Sequence, residues 1–227
     1  MDEVSANRDG ASIGIPTIMK LLIATRNAHK LQEIRAIFNM QSIDLVSIND
    51  FPSLPEVLED GATFESNAIK KAVVLALTSR FWTMADDSGL QVDFLKGDPG
   101  VRSARYAGEP VNYVANNKKL LQAMAGIKER SARFCCAIAL SSPSGRSQVV
   151  MGTCEGRIID VEKGSNGFGY DPLFVPGGHE QTFAEMDDST KNRISHRASA
   201  LTRAMEAWGE MLKSCPADWT MEVRRKR

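Results

Sequence analysis

Phe81-Trp82-Thr83-Met84-Ala85-Asp86-Asp87-Ser88-Gly89 sets an apolar run directly against two adjacent carboxylates and two small residues. Aromatic and β-branched residues bounded by a Ser-Gly break read as a buried strand. Residues 81–85 are therefore expected to form a short strand that ends at the aspartates.

Upstream, Phe64, Ala68, Ala72 and Leu75 keep helical spacing, which predicts a helix over 64–78. Further back, Lys20-Leu21-Leu22-Ile23-Ala24 reads as a first strand. It runs into Thr25-Arg26-Asn27-Ala28-His29-Lys30 and then a helix carrying Leu31, Ile34 and Ile37/Phe38 on one side. Downstream, Gly97-Asp98-Pro99-Gly100 is a breaker-rich loop. A helix is expected from about Tyr113 to Ala125. Apolar runs over 132–140 and 148–154, separated by Ser142-Pro143-Ser144-Gly145, signal a hairpin. The stretch from Gly164 to Gly178 is too long and too rich in glycine and proline for a simple turn, which favours a functional loop. Ile194, Ala198, Leu201, Met205, Trp208 and Leu212 then form one apolar stripe of a last helix. Strands mixed with helices make the chain α/β, without repeats or low-complexity tracts. Residues 1–18 are expected to be a loose extension, 19–213 the folded domain and 214–227 a tail ending in Arg224-Arg225-Lys226-Arg227.

At 227 residues, 43% apolar and 25% charged, the chain has the composition of an ordinary globular protein. Lys and Arg balance Asp and Glu at 28 each, so no global positive field draws in nucleic acid. No apolar run approaches the roughly 20 residues of a membrane span. The four cysteines, at 135, 136, 154 and 215, lack a Cys-x-x-Cys spacing, and neighbours 135 and 136 would point to opposite faces of a strand. They read as reduced thiols of a cytoplasmic protein.

Two carboxylates at the mouth of a sheet repel unless a cation or hydrogen-bond donors offset them. Mg²⁺ takes few carboxylates together with water and phosphate oxygens, so Asp86-Asp87 is a candidate divalent site; a turn or helix cap is the competing reading. The Glu56–Gly61 segment supplies further carboxylates, or is a solvated loop. Thr25–Lys30 follows a strand and opens a helix, an arrangement that points backbone N–H groups at an anion, although it is not a Walker A loop. Phe168 and Tyr170 lie among glycines, where they either stack on a base or cover the core. Lys191, His196 and Arg197 gather at the start of the last helix, off its apolar stripe, with donors for a nucleobase edge or a phosphate.

In this order, Ala-Asp-Asp-Ser-Gly-Leu at 85–90, Ser-Ala-Arg-Tyr at 103–106, Gly-Phe-Gly-Tyr-Asp-Pro at 167–172 and Ser-His-Arg at 195–197 resemble the Ham1-like inosine/xanthosine triphosphate pyrophosphatase family over Lys20 to Lys213. The resemblance implies an elongated mixed sheet flanked by helices, in two lobes around a central cleft, and usually a homodimer. It implies hydrolysis of ITP, dITP and XTP to monophosphate and pyrophosphate with Mg²⁺. Asp87 would be the proton acceptor and, with Glu59, a metal ligand. Thr25, Arg26, Asn27, Ala28, His29 and Lys30 would cradle phosphates, with Ser88 beside the substrate. Phe168, Gly169, Tyr170, Asp171, Lys191, His196 and Arg197 would form the nucleoside pocket. Asp86 would tune Asp87, or hold a water near it. Two positions depart from the family pattern: Arg26 and His29 stand where glycines are usual, so a turn requiring positive φ would be strained there by roughly 1–2 kcal/mol. A pyrimidine-directed pyrophosphatase of related architecture, or a non-catalytic nucleotide- or RNA-binding module, are the alternatives.

Overall fold

The computed structural model describes residues 18–214. The expected extension and tail, with Cys215 and the basic run 224–227, lie almost wholly outside the described residues. Met19–Ile23 (β1) passes through the Thr25–Lys30 turn into Ala28–Ile37 (α1) and returns as Ile43–Ser47 (β2). Phe64–Ser79 (α2) then leads into Trp82–Val92 (β3). Tyr113–Ala123 (α3) precedes the hairpin of Ser131–Ser141 (β4) and Ser147–Ile158 (β5), and the short Phe174–Pro176 (β6) closes the strands. Asp188–Ile194 (α4) and His196–Ser214 (α5) complete the chain.

The strands make one mixed sheet in the order β2-β1-β3-β4-β5-β6. β1 is parallel to β2 and β3, whereas the β3–β4, β4–β5 and β5–β6 pairs are antiparallel. The strand expected to stop at Ala85 instead runs 11 residues, through both aspartates and on to Val92. β4 explains the difference, because it pairs with β3 without a break from Thr83↔Ser141 to Val92↔Ala132. Ser88-Gly89 is thus held in the ladder and is not a break.

The opening arises on the other edge of β3. β1 pairs with it only as far as Ile23↔Met84 and then peels away into the turn. Chain connections leave β1 towards β2 on one side, while β3 lies on the other, so the gap beyond Ile23 is a topological switch point. In open α/β sheets that crevice is where ligands bind.

Helices cover both faces. α1 and α5 pack through Ile34, Phe38, Leu201, Trp208 and Leu212 onto Met84, Cys136, Ile138 and Leu140. α2 packs through Phe64, Ala68, Ala72 and Leu75 onto Ala85, Cys135, Ala137 and Ala139. Cys135 and Cys136 fall in these two different clusters, as alternation along a strand requires. Both thiols are free, and so is Cys154. A third cluster, built on Leu90, Phe134, Phe174 and Phe183, fills the far end of the sheet.

The last helix differs from its expected form. Ser195 is extended (φ −71°, ψ 161°), ending α4 and starting α5. Its Oγ accepts from the Ala198 N–H at 3.1 Å, the geometry of an N-cap. Ile194 therefore leaves the stripe and packs with the third cluster, while Leu201, Trp208 and Leu212 keep it. Among the described residues no helix is long and apolar enough to cross a membrane.

Candidate active site

The turn after β1 is organised by Asn27. Its Oδ1 accepts from the N–H groups of His29 and Lys30 at 3.0 and 3.2 Å, capping α1, while Thr25 Oγ1 accepts from the Asn27 N–H at 3.2 Å. Three backbone donors expected to face an anion are thus already engaged, because asparagine is a strong N-cap. Those three are closed to an anion, while the Arg26 and Lys30 side chains face the cavity. Arg26 and His29 carry no backbone strain: among the described residues only Arg80 and Lys96 have positive φ without being glycine. Arg26 lines the cavity, with Nη2 donating to the Leu54 carbonyl at 3.4 Å. Thr25, Asn27 and Lys30 line it too, but Ala28 and His29 do not.

Asp86 and Asp87 do not form a facing pair. Adjacent strand residues point to opposite faces. Asp86 therefore enters the α1/α5 side and Asp87 the α2 side. Asp86, 1% exposed, meets Lys30 Nζ at 3.0 Å and Arg197 Nη2 at 3.0 Å. Burial alone would raise its carboxyl, but Lys30 and Arg197 outweigh that and hold it well below the usual range. Its Oδ1 is buried without a partner. Asp87 accepts from Asn67 Nδ2 at 2.9 Å and from the Ser88 N–H at 2.9 Å, and it lines the cavity. Burial, joined by the charge of Glu59, raises it above the ordinary value against the pull of Lys30, the Asn67 hydrogen bond and Lys71. One aspartate anchors cations inside the fold; the other is a basic carboxylate on a ligand-sized cavity.

From Asp86 an alternating series of charges runs through the interior. Arg197 bonds Asp86, Glu33 and Ser88 Oγ; Glu33 also receives Lys191 Nζ at 2.8 Å, and Lys191 reaches Asp171 at 2.6 Å. Arg197 is 1% exposed, with Nε buried and unpartnered. Arg197 and Lys191 stay charged because their carboxylate partners overcome burial. His196 is the opposite case. Burial, then Arg197, Lys191 and Lys30, push it well below its usual value, so the imidazole is neutral. Its ring stacks on Phe134 at 4.7 Å, and Nδ1 is buried without a partner. Lys191, His196 and Arg197, read as lying off the apolar stripe of the last helix, are all buried.

Gly167 (φ 72°) and Gly169 (φ 64°) flank Phe168. A Cβ on Gly167 would overlap Asp171 Oδ2, so only glycine lets that carboxylate accept from the Phe168 N–H at 2.9 Å while holding Lys191.

The cavity is about 650 Å³, within the usual range for a nucleotide-sized ligand. Residues 24–27, Lys30 and residues 55–59 contribute to its wall, as do Asp87–Gly89, Ser103–Arg105, Phe168–Asp171, Lys191, His196 and Arg197. Glu59 pairs with Lys71, and its carbonyl accepts from Arg105 Nη2 at 3.2 Å. Among the described residues no group of three or more His, Cys, Asp or Glu side chains gathers as a metal cage. Glu59 and Asp87 nevertheless offer two hard-oxygen donors to one cavity, and each Asp87 oxygen holds only one hydrogen bond. That donor set fits Mg²⁺, which needs one or two carboxylates plus water and phosphate, and does not suit a zinc cage.

Glu33, Asn67, Lys71, Arg105 and Phe134 received no site role from the sequence, although Arg105 lies within the Ser-Ala-Arg-Tyr motif. Two were detectable: Asn67 and Lys71 are polar residues spaced i, i+4 beside the apolar stripe of α2. Glu33 and Phe134 carry no such signal, since their partners come from distant elements.

A model of the Ham1 family matches residues 21–207. The dITP/XTP pyrophosphatase of Desulforamulus reducens is 51% identical over 190 residues, covering 83% of this chain and 94% of that protein. The dITP/XTP pyrophosphatase of Syntrophobacter fumaroxidans is 47% identical over 193 residues, covering 85% and 83%. Among solved structures, a Ham1 protein of Coxiella burnetii superposes with a TM-score of 0.78 at 37% identity, covering 85% of this chain and all of that one. The Ham1 protein of Staphylococcus aureus gives 0.77 at 37% identity, covering 85% and 99%.

Proposed function

The chain belongs to the Ham1 family, and on that premise we propose that it hydrolyses the non-canonical purine nucleoside triphosphates ITP, dITP and XTP to monophosphate and pyrophosphate. The observation that carries the reading is Asp87, a buried carboxylate of raised basicity on a nucleotide-sized cavity that also holds cationic side chains.

Asp87 orients water and takes its proton as the water attacks the α-phosphorus; general-base assistance of this kind is worth about 10²–10⁴-fold. Asn67 and the Ser88 N–H fix the carboxylate for that task. Glu59 and Asp87 would hold Mg²⁺, which supplies charge neutralisation for the triphosphate and the departing pyrophosphate. Arg26, Lys30 and Lys71 line the cavity as phosphate donors, with Asp86 orienting Lys30 from behind.

Phe168 offers a ring to the nucleobase. Neutral His196, the buried Arg197 Nε and the one Lys191 donor left after its two carboxylates present N–H groups suited to a 6-keto oxygen. Adenine, with a 6-amino group, would leave such donors unpaired, and sites of this type discriminate by about 10⁴–10⁵. We extend the reading to a homodimer, for which sedimentation should give twice the chain mass of 24.9 kDa.

The deciding experiment is a panel of ITP, dITP, XTP, dTTP, UTP, ATP and GTP with Mg²⁺, measuring pyrophosphate and orthophosphate separately. Pyrophosphate from the first three is expected. Stepwise orthophosphate release, preference for dTTP or UTP, or no turnover would each sink the proposal.

A further inference from the structure

His29 belongs by sequence to the phosphate turn, yet its side chain goes elsewhere. It is exposed, it is not on the cavity wall, and its ring stacks on Phe168 with centroids 5.2 Å apart and planes 15° from parallel. Tyr113, the first residue of α3, meets the same phenyl ring at 6.2 Å and 48°. The Tyr113 hydroxyl in turn accepts from Asn27 Nδ2 at 3.3 Å, which ties α3 back to the turn that carries His29. Lys191 Nζ lies 5.1 Å from the centroid of that phenyl ring.

Three segments far apart in sequence thus converge on one side chain. Phe168 needs such support, because the glycines on either side of it give its backbone little preference of its own. Near-parallel aromatic contact at this separation is attractive and orients both rings.

We infer that His29 is a positioning residue for the nucleoside end of the substrate. With Tyr113 it clasps Phe168 in the orientation that presents the phenyl ring to the cavity, so a residue of the phosphate turn governs nucleoside affinity rather than phosphate affinity. The inference rests on the proposed function only where Phe168 meets a nucleoside; the clasp itself does not depend on it.

The test compares His29→Ala and His29→Phe with the unaltered protein, each first shown to unfold at a similar temperature. Three quantities are read: kcat and KM for ITP, inhibition by IMP and by inorganic triphosphate, and amide hydrogen exchange of residues 165–171 without nucleotide. His29→Ala should raise KM and the IMP inhibition constant roughly three- to tenfold, with kcat changed less than twofold and inorganic triphosphate inhibition unmoved. Exchange at Phe168 and Asp171 should quicken. His29→Phe should restore all of these. Equal weakening of IMP and inorganic triphosphate would return His29 to the phosphates and overturn the inference, as would unaltered exchange or failure of His29→Phe to rescue. Should the unaltered protein not hydrolyse ITP, the functional reading fails while the exchange measurement still decides the clasp.

Discussion

At the residue scale, Asp86 and Asp87 have the same chemistry and opposite duties, because one step along a strand turns the side chain to the other face. Asp87→Asn keeps the shape and the Asn67 contact region but removes the base. It should lower kcat by about 10²–10⁴-fold, while a fluorescent nucleotide analogue still binds. Because burial raises Asp87 above an ordinary aspartate in the metal-free protein, its carboxyl, followed by NMR without Mg²⁺, should titrate at a pH above that expected of a solvent-exposed aspartate, and that titration should be absent in the variant. Asp86→Asn should act on the fold instead. Lys30 and Arg197 would lose their shared carboxylate inside the protein, and breaking a buried ion pair costs about 3–5 kcal/mol. Urea unfolding would show it as a lower midpoint at unchanged slope. Equal stability of the two variants would mean that the aspartates are not divided in this way. The adjacency of the pair was legible in the sequence. Their separation follows from the length of β3, which pairing with β4 determines.

At the element scale, local patterns were legible wherever burial follows spacing. The stripe of α2 and the Ser142–Gly145 hairpin turn are there as read. The single last helix is not, since Ser195 serves as end and cap at once. That break places His196 and Arg197 in the first turn of α5, where both reach the interior. α5 sits close on β5 at Gly152, where a Cβ would overlap the Ala200 N and the His196 carbonyl oxygen. Backbone atoms cannot swing aside. Gly152→Ala should therefore destabilise by about 1–3 kcal/mol and also raise KM, since α5 carries the two pocket residues. A thermal melt with parallel kinetics checks it; unchanged values for both would mean that the helix has room to shift.

At the scale of the whole molecule, the alternating charges from Lys30 to Asp171 join β3, α1, α5, α4 and the glycine-flanked loop. Their pH response combines two carboxylates of lowered pKa with two, Asp87 beside the series and Asp171 within it, of raised pKa. Asp86 is held down by Lys30 and Arg197, and Glu33 by Arg197 and Lys191, in each case against burial. A carboxylate depressed in the folded state contributes stability that is complete above its unfolded value and lost as pH falls through the folded one. Asp87 and Asp171, both raised by burial, work in the opposite direction: protonation favours their folded state, and that contribution is lost as pH rises past their folded values. Asp86, the most strongly shifted of the four and held down by two cations, should outweigh them and make stability fall as pH drops below the ordinary carboxylate range, roughly 4. Urea midpoints across that range should decline, and less steeply in Asp86→Asn. A flat profile would show that the ion series adds nothing to folding.

The sequence by itself determined β1, α1, α2, α3 and the β4–β5 hairpin, the family resemblance, and the cavity residues whose motifs are short and contiguous: Asp87-Ser88, Phe168–Asp171 and His196-Arg197. These follow from local periodicity and from residue types carried on one segment. Only the tertiary structure decided which groups meet. It spent the His29 and Lys30 N–H groups of the phosphate turn on Asn27, sent Arg197 to Glu33 and Asp86, left His196 neutral, and set His29 on Phe168. The physical reason is that a side chain's charge and direction depend on neighbours that only sheet order and helix packing bring near.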